Sequence, residues 1–300
     1  MLNKTLLYAL MVVIASSSYG ILSTIVKLAM QDGYTSAEAI TSQYVFGFLL
    51  VVCIFFITDR KMPKPNLKGW LTIGLAGLFT ALTGTVYGQS LNYLPASLAV
   101  VMLFQFTWIG LLIDCILKRR LPRRAEVISL IFLFAGTILA AGILNVDLSH
   151  IPLIGWILGL LAAFTFAIFI QLNSRAIEGV STMGRTLIIS TVALVLISLT
   201  LSPEIIWNGQ LTGGLWKFGL VLGLFGIVLP ILLLSIAVPK VGGGLASILS
   251  AMELPVAIIV SVIFLSETLT GLQIVGIVLV LIGMMLPSYF SMKTKKLRRI

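Results

Sequence analysis

A stretch of 45 residues without an acidic or basic side chain, Gly69 to Ile113, constrains the fold of this chain more than any other feature. As one α-helix it would be about 67 Å long, roughly twice the thickness of a bilayer core. A break is therefore expected, and the segment Asn92-Tyr93-Leu94-Pro95 favours one, because the residue before a proline avoids helical backbone. The stretch predicts two membrane-spanning helices.

Other charge-free runs also have the length of about 20 residues that a helix needs to cross a bilayer. Seven of them give one helix each: Thr5 to Val26, Ala39 to Thr58, Val127 to Val146, Leu148 to Ser174, Thr186 to Pro203, Phe218 to Pro239 and Thr268 to Met292. An eighth, Val241 to Ser266, spans if Glu253 is tolerated near its midpoint. The first run resembles a signal peptide but is long enough to be retained as helix 1. The predicted fold is all-α and polytopic, with ten transmembrane helices.

The composition agrees with a membrane protein. Only 10% of the 300 residues are charged and 59% are hydrophobic, whereas a soluble domain carries about 25% charged residues. This balance excludes a soluble enzyme and a disordered chain. Ten helices leave connections of a few residues, so no separate extramembrane domain is expected, and the runs lack the alternation of a membrane β-barrel.

The positions of the basic residues predict the topology. With a cytoplasmic N-terminus, 18 Lys and Arg residues fall on the cytoplasmic side and two, Lys27 and Lys217, fall outside. The net charge of +10 is thus explained by topology rather than by nucleic-acid binding. Both termini are expected to be cytoplasmic, in the plasma membrane of a bacterium, with membrane lipid as a partner.

An internal repeat appears at a spacing of 146 to 147 residues. Ala76-Gly77-Leu78-Phe79 matches Leu222-Gly223-Leu224-Phe225, and Ser97-Leu98-Ala99 matches Gly244-Leu245-Ala246. We therefore divide the chain into repeats of five helices, 1–147 and 148–300. An odd helix number gives the second copy the inverted topology, an architecture of secondary transporters that places the substrate site between the repeats.

Two segments carry a resemblance to a known family. Ser90 to Ala99, and the later Gly244 to Pro255 continuing through Phe264-Leu265-Ser266-Glu267-Thr268-Leu269, resemble a conserved helix of EamA-type transporters in the drug/metabolite transporter superfamily. The resemblance implies a central cavity lined by helices 1 to 4 and 6 to 9, and export or exchange of small metabolites or amino acids. The first repeat departs from the pattern, with Lys118-Arg119-Arg120 in place of the acidic ending and Trp108 in place of the proline that Pro255 represents.

Glu253 is the strongest candidate for a functional residue. An acidic side chain at the centre of a membrane helix costs about 2.5 to 3.5 kcal/mol on insertion scales. Two roles are open: a carboxyl group that binds and releases a coupling proton, or a permanently protonated, hydrogen-bonded group that braces helix 9.

Further candidates lie on helix 4. Gln105 and Trp108, three residues apart on one face, suit a substrate amide or ring, although an amide hydrogen bond between helices also explains Gln105. Asp114 is expected to pair with Lys118 rather than to form an ion site.

Helices 1, 2, 3 and 6 supply the other candidates for the cavity. Ser17 and Tyr19 lie at the centre of helix 1 and correspond to the region of Thr165 in helix 6, where close helix packing is the alternative role. Gln43 and Tyr87 lie nearer the outer ends, where an interfacial anchor also explains Tyr87. His150 has no metal-ligating companions, so neither a metal nor a cofactor is expected.

These features favour a secondary active transporter that exports small metabolites or amino acids by alternating access, with proton exchange as one coupling mode. Uptake, facilitated diffusion and polyspecific drug export are the alternatives within transport. A membrane-embedded lipid-modifying enzyme would need several carboxylates or histidines near one membrane face, and this chain offers one buried Glu and one marginal Asp. No residue is assigned a catalytic role, and a homodimer stays open.

Overall fold

The computed structural model describes residues 4–94, 96–142, 151–265 and 269–297. Within them the chain is helical throughout, without a β-strand. The α-helices are α1 (Lys4–Gln31), α2 (Ser36–Thr58), α3 (Leu67–Ser90), α4 (Ala96–Leu103), α5 (Phe106–Leu117), α6 (Arg124–Ala140), α7 (Leu153–Asn173), α8 (Thr182–Thr200), α9 (Trp216–Gly223), α10 (Leu229–Val241), α11 (Gly243–Leu249), α12 (Glu253–Leu265) and α13 (Gly271–Leu297). Pro95, His150 and Glu267 lie outside the described residues.

Eight segments of the described chain are long and apolar enough to cross a membrane. They are Leu6–Gln31, Ser36–Thr58, Leu67–Ser90, Leu98–Leu117, Leu153–Asn173, Thr182–Thr200, Leu211–Val241 and Gly243–Leu265. The run from Gly69 to Ile113 folds as two helical segments, as predicted, because α3 ends at Ser90 and a turn follows. The two remaining predicted spans correspond to α6, with 17 residues, and to the shorter apolar part of α13, Gly271–Pro287.

Polar caps fix where the helices begin. The Thr35 hydroxyl accepts the Glu38 N–H, and the Glu38 carboxylate accepts the Thr35 N–H at 2.7 Å, which forms a capping box on α2. The Asn66 side chain caps α3 in the same way, and Ser181 caps α8. These bonds satisfy N–H groups that a helix leaves without partners at its first turn. Each apolar helix therefore begins at a polar connection.

The two halves of the chain interlock, and most of the extensive helix contacts cross between them. Helix α1 packs on α10 and α12, α2 on α8 and α9, and α3 on α7 and α8, while α5 packs on α11 and α6 on α13. The contact of α3 with α7 corresponds to that of α10 with α1, as an approximate two-fold relation requires. Small residues bring α6 and α13 close, since a Cβ at Gly276 would lie 2.2 Å from the Ala140 nitrogen.

The bundle has two distinct ends. The connections 59–66 and 174–181 lie together, because Ser181 hydrogen-bonds to Asp59 and Gly69 adjoins Ile177. The Lys118 ammonium lies against Gly242 between α10 and α11. We call this the basic end, since the predicted cytoplasmic loops lie here. At the opposite end, Thr85 hydrogen-bonds to Thr200 and Tyr34 contacts Gly214.

Candidate functional site

Two membrane helices are interrupted at corresponding places in the two halves. The fourth span breaks at Phe104-Gln105, between α4 and α5, and the segment Gly243–Leu265 passes through a 3₁₀ turn at Ser250–Met252, between α11 and α12. The two breaks lie 146 to 147 residues apart, which is the spacing of the internal repeat. Interrupted helices at matching positions of two repeats are the usual sign of a transporter binding site, because they free backbone polar groups near the middle of the membrane.

Glu253 is the first residue after the second break. Its backbone oxygen adjoins α1, where a Cβ at Gly20 would lie only 2.5 Å away. The side chain carries a buried oxygen, Oε2, that accepts no hydrogen bond from the described residues. A buried polar atom without a partner costs about 1 to 3 kcal/mol, more when the group is charged. A bound proton or a ligand would offset this cost at the Glu253 carboxyl group.

Tyrosine side chains from two helices lie within electrostatic range of this carboxyl group, and a third tyrosine adjoins one of them. Glu253 interacts electrostatically with Tyr19 of α1 and with Tyr87 of α3, and Tyr19 interacts with Tyr44 of α2. The Tyr44 hydroxyl donates to the backbone oxygen of Thr80 at 3.1 Å. The structure thus places Tyr19 and Tyr87 within electrostatic range of Glu253, although the sequence identified the three residues separately.

An aromatic cluster extends from Tyr19 across the two halves. The Tyr19 ring meets Phe166 of α7 edge-on at 5.8 Å, and Phe166 meets Phe106 of α5 edge-on at 4.8 Å. Phe169 stacks on Phe166 at 5.9 Å. Helices α1, α5 and α7 therefore meet at Phe166, beside the break between α4 and α5. Edge-to-face pairs of this kind fix ring orientation.

The hydroxyl groups of Ser17 and Thr165 bond to their surroundings. Ser17 donates to the Val13 oxygen on its own helix at 2.8 Å. The Thr165 hydroxyl lies 2.9 Å from that of Thr83 and joins α7 to α3. Each hydroxyl retains lone pairs that can accept a further hydrogen bond.

Gln43 is buried and packs against a π-helical turn. A Cβ at Gly226 would lie 2.4 Å from the Gln43 side-chain nitrogen. Gly226 belongs to a π-helical turn, Leu224–Val228, and such turns occur often at functional sites.

Gln105 and Trp108 lie elsewhere, on a groove between the fourth span and α6. The Trp108 indole donates to the Gln105 amide oxygen at 2.7 Å, and the Gln105 amide donates to the Val101 oxygen at 3.0 Å. Both side chains line the groove, which has a volume of about 640 Å³ and is otherwise formed by α4, α5 and α6. Since the lining comes from the first half of the chain alone, this groove differs from the site around Glu253.

At the basic end, contacts between the two halves of the chain close the bundle. The Asp114 carboxylate, whose side chain is only 3% exposed, pairs with Lys118 at 2.6 Å and Arg120 at 2.9 Å. It also accepts the backbone N–H of Gly244, in the second half. The predicted pairing of Asp114 with Lys118 is confirmed, whereas the sequence did not reveal the roles of Arg120 and Gly244.

Arg120 connects this closure to α6. Its guanidinium forms two hydrogen bonds with Glu126, at 2.8 and 3.0 Å, in addition to the bond with Asp114. Hydrogen bonds with Glu126 and then with Asp114 hold the pKa of Arg120 above its ordinary value. The Arg120 charge therefore stays fixed at every physiological pH.

Close backbone contacts reinforce the closure. A Cβ at Gly110 would lie 2.1 Å from the Ser247 hydroxyl, so α5 and α11 cross almost in backbone contact. The Gln171 amide donates to the Gly110 oxygen at 2.6 Å, and Gln171 also lies against Gly243. Glycine is required at these crossings, because any side chain would separate the helices.

Beyond its break, the span Gly243–Leu265 is packed less tightly. In α11, six of seven residues are buried, whereas in α12 only Leu254 and Pro255 are. Helix α12 packs mainly on α1, and α4 packs mainly on α7. The two spans therefore cross at the basic end and diverge beyond the breaks. Among the described residues, no group of three His, Cys, Asp or Glu side chains converges to hold a metal ion.

A multi-pass helical bundle with paired helix breaks and a carboxyl group between its halves has the architecture of a membrane transporter. Comparison with known proteins agrees. The model of the EamA-like transporter family matches residues 6–142 and again 153–289, so the chain carries two copies of this repeat and belongs to the EamA-like transporter family, in the drug/metabolite transporter superfamily. It is a transporter and not an enzyme.

Individual relatives are more distant. The chain is 26% identical over 233 residues to the threonine/homoserine exporter RhtA of Salmonella typhimurium, in strains SL1344 and LT2, and this match covers 77% of the chain and 74% of the exporter. A solved crystal structure superimposes with a TM-score of 0.75 at 14% identity, and the match covers 97% of this chain and 98% of that one. This likeness concerns the fold.

Proposed function

We propose that the protein is a secondary active exporter of small amino acids or related metabolites that bear an amino group. It works by alternating access through the cleft between its two repeats. The observation that carries the proposal is the Glu253 carboxyl group, which holds a buried oxygen without a hydrogen-bond donor at a helix break. The similarity to a threonine/homoserine exporter supports a small amino acid as the substrate.

The chemistry around Glu253 favours an ammonium group. A carboxylate provides the opposite charge, and the neighbouring ring of Tyr19 provides an aromatic surface of the kind to which cations bind. The hydroxyl groups of Tyr87, Ser17 and Thr165 and the amide of Gln43 are assigned to the polar remainder of the substrate. Gln105 and Trp108, which the sequence also nominated, are assigned to the edge of the pathway.

Glu253 is also assigned the coupling role. A proton and a substrate ammonium group compete for the same carboxylate, so binding one releases the other. A carboxyl group that faces each side of the membrane in turn then exchanges protons for substrate. No ATP-binding motif is present in the sequence, so an ion gradient or the substrate's own gradient supplies the energy.

We further propose ten transmembrane helices in two inverted repeats of five, at residues 1–147 and 148–300, with both termini in the cytoplasm. The pairing of α6 with α13 supports counting both as the fifth and tenth spans. The basic end then faces the cytoplasm, in agreement with the distribution of Lys and Arg, and the protein lies in the plasma membrane of a bacterium. In this arrangement the structure is closed toward the cytoplasm.

Counterflow in vesicles reconstituted with the purified protein tests the proposal. We expect exchange of labelled threonine or homoserine against the same unlabelled amino acid, and uptake into inverted vesicles that a pH gradient accelerates. Glu253→Gln is expected to lower gradient-driven transport at least tenfold and to abolish the pH dependence of the remainder, whereas Glu253→Asp retains pH dependence.

The matched control is Glu204→Gln, because Glu204 is an exposed carboxylate in the loop before α9. It is expected to transport at the wild-type rate. Wild-type rates and unchanged pH dependence in Glu253→Gln would remove the proton role. Absence of counterflow across a panel of amino acids and amines would refute the proposed substrate class.

A further inference from the structure

The groove beside Trp108 lies outside the site around Glu253, and no step of the proposed transport cycle takes place in it. It lies between the fourth span and α6, and its volume is about 640 Å³. Its lining residues are Val101, Phe104, Gln105, Thr107, Trp108, Val127, Leu130, Ile131, Leu133, Phe134, Ala135, Thr137 and Ile138. Phe134, Ile131 and Ala135 are exposed on the surface of the bundle, so the groove opens sideways toward the surrounding membrane.

The polar groups in the groove already have partners. The indole of Trp108 donates to Gln105, which in turn donates to the Val101 oxygen. The hydroxyl of Thr107 donates to Phe104, and that of Thr137 to Leu133. Each of these bonds is internal to the fourth span or to α6. The groove therefore offers an occupant an apolar surface, which a polar metabolite does not match and a hydrocarbon chain does.

Positive charge lies at one end of this apolar surface. Arg123, the N-cap of α6, and Arg124 are exposed four and three residues before Val127, the first lining residue of that helix. Residues three and four apart share a helix face, so the arginines continue the face that lines the groove. Their long side chains extend to the level of lipid headgroups. Basic side chains beside a groove between membrane helices recognise anionic headgroups.

We propose that the groove between the fourth span and α6 binds one anionic phospholipid from the leaflet at the basic end, with an acyl chain along Trp108 and Phe134 and the phosphate group at Arg123 and Arg124. A bound lipid in this position fills the space between α5 and α6. It thereby supports α5, which carries Asp114, against the adjoining repeat. The proposal does not depend on the identity of the transported substrate.

Fluorescence of Trp108 provides a direct test. In a protein that retains Trp108 as its single tryptophan, with Trp70, Trp156, Trp207 and Trp216 replaced by Phe, phospholipids with brominated acyl chains quench the indole when a chain enters the groove. In nanodiscs of mixed composition we expect brominated phosphatidylglycerol to reach half-quenching at a mole fraction at least about fivefold lower than brominated phosphatidylcholine, since attraction to one arginine alone gives about that factor.

Two pairs of variants test the headgroup contacts and the acyl-chain groove separately. Arg123→Gln with Arg124→Gln should remove the difference between the lipids, whereas Arg175→Gln, an exposed arginine at the same end, should preserve it. Ala135→Phe should fill the groove and reduce quenching by both lipids, whereas Ile128→Phe, on the same helix but outside the groove, should not.

The result that overturns the proposal is equal quenching by the two lipids in the protein with intact arginines, or equal quenching in Ala135→Phe and Ile128→Phe. Either outcome means that Trp108 meets only the general lipid surroundings. A melting temperature measured for each variant establishes that a loss of quenching does not come from unfolding. A lack of amino-acid counterflow, in contrast, would refute the proposed function and leave this lipid site in place.

Discussion

Replacing Asp114 by Asn should open the basic end of the transporter. Asp114 is the acceptor for the Gly244 N–H, a bond that joins the first repeat to the start of α11 in the second. Its ion pairs with Lys118 and Arg120 lie within the first repeat, so they persist when the repeats separate. Among the contacts of Asp114, only the one with Gly244 joins the two repeats and is therefore lost when the basic end opens. Asn keeps the shape and the acceptor oxygen but removes the charge.

The free-energy difference between the closed and open states should change through two contributions that stabilise only the closed state. A hydrogen bond to a charged acceptor is about twice as strong as a neutral one, so its weakening costs about 1 kcal/mol. Loss of a negative charge at the N-terminal end of a helix costs up to about 1 kcal/mol more at a partly buried site. The sum of about 2 kcal/mol corresponds to about a 30-fold shift of the equilibrium toward the open basic end.

A cysteine at position 247 reports this equilibrium. Ser247 is fully buried against Gly110, where α5 crosses α11. In a background with Cys53 and Cys115 replaced by Ser, Ser247→Cys should react with a membrane-impermeant maleimide only after the basic end opens. Asp114→Asn should raise the initial labelling rate from that end about 30-fold, in proportion to the open population.

The matched control for this experiment is Glu126→Gln. Glu126 binds the same Arg120, but it lies on α6 and takes no part in the bond to Gly244. Its replacement should lower the melting temperature and leave the labelling rate within twofold of the parent. Equal labelling rates in Asp114→Asn and the parent would refute the argument that the charge of Asp114 holds the basic end closed.

Two further substitutions test the contacts around the candidate site. Gly20→Leu should destabilise the protein by about 1 to 3 kcal/mol and abolish transport, because its Cβ would lie 2.5 Å from the Glu253 backbone oxygen. The control is Gly74→Leu, where a side chain would enter open space. It should change neither the melting temperature nor transport. Thr165→Val removes the bond to Thr83, which should cost about 0.6 kcal/mol in thermal stability. Because the Thr165 hydroxyl is assigned to the substrate, the same change should raise KM about tenfold. A KM within threefold of wild type would instead show that Thr165 only joins α7 to α3.

The sequence predicted features that follow from hydrophobic length and chain connectivity. Gly69 to Ile113 had to contain a break because it exceeds the membrane thickness, and the turn after Ser90 provides it. The break at Phe104-Gln105 was not predicted, since neither residue interrupts a helix by itself. That interruption precedes the crossing of α5 with α11 at Gly110, a tertiary contact that the sequence does not show. The corresponding turn at Ser250–Met252 was also not predicted from the sequence, and the structure shows it at the matching position of the second repeat.

The sequence did not predict which neighbouring helix each candidate side chain faces. Gln105 and Trp108 share a helix face, as predicted, but that face is turned toward α6. A helix that is apolar all round has no polar stripe to show which side meets the substrate. Glu253 and Tyr19 are brought together because Gly20 allows α1 to approach α12 closely, and a single glycine in the sequence does not identify its partner.

The two repeats share a backbone plan but differ in charge, and this difference bears on how transport is driven. At the repeat spacing, Asp114 corresponds to Ser261, whose hydroxyl bonds to the Ile258 oxygen on its own helix. A charge like that of Asp114, which holds α11 against α5, is thus missing at the equivalent position of α12. The unliganded protein should therefore rest with the basic end closed. Since a ligand shifts such an equilibrium only by its differential affinity, substrate or proton binding at Glu253 has to supply at least the free energy of the Asp114 contact, about 2 kcal/mol.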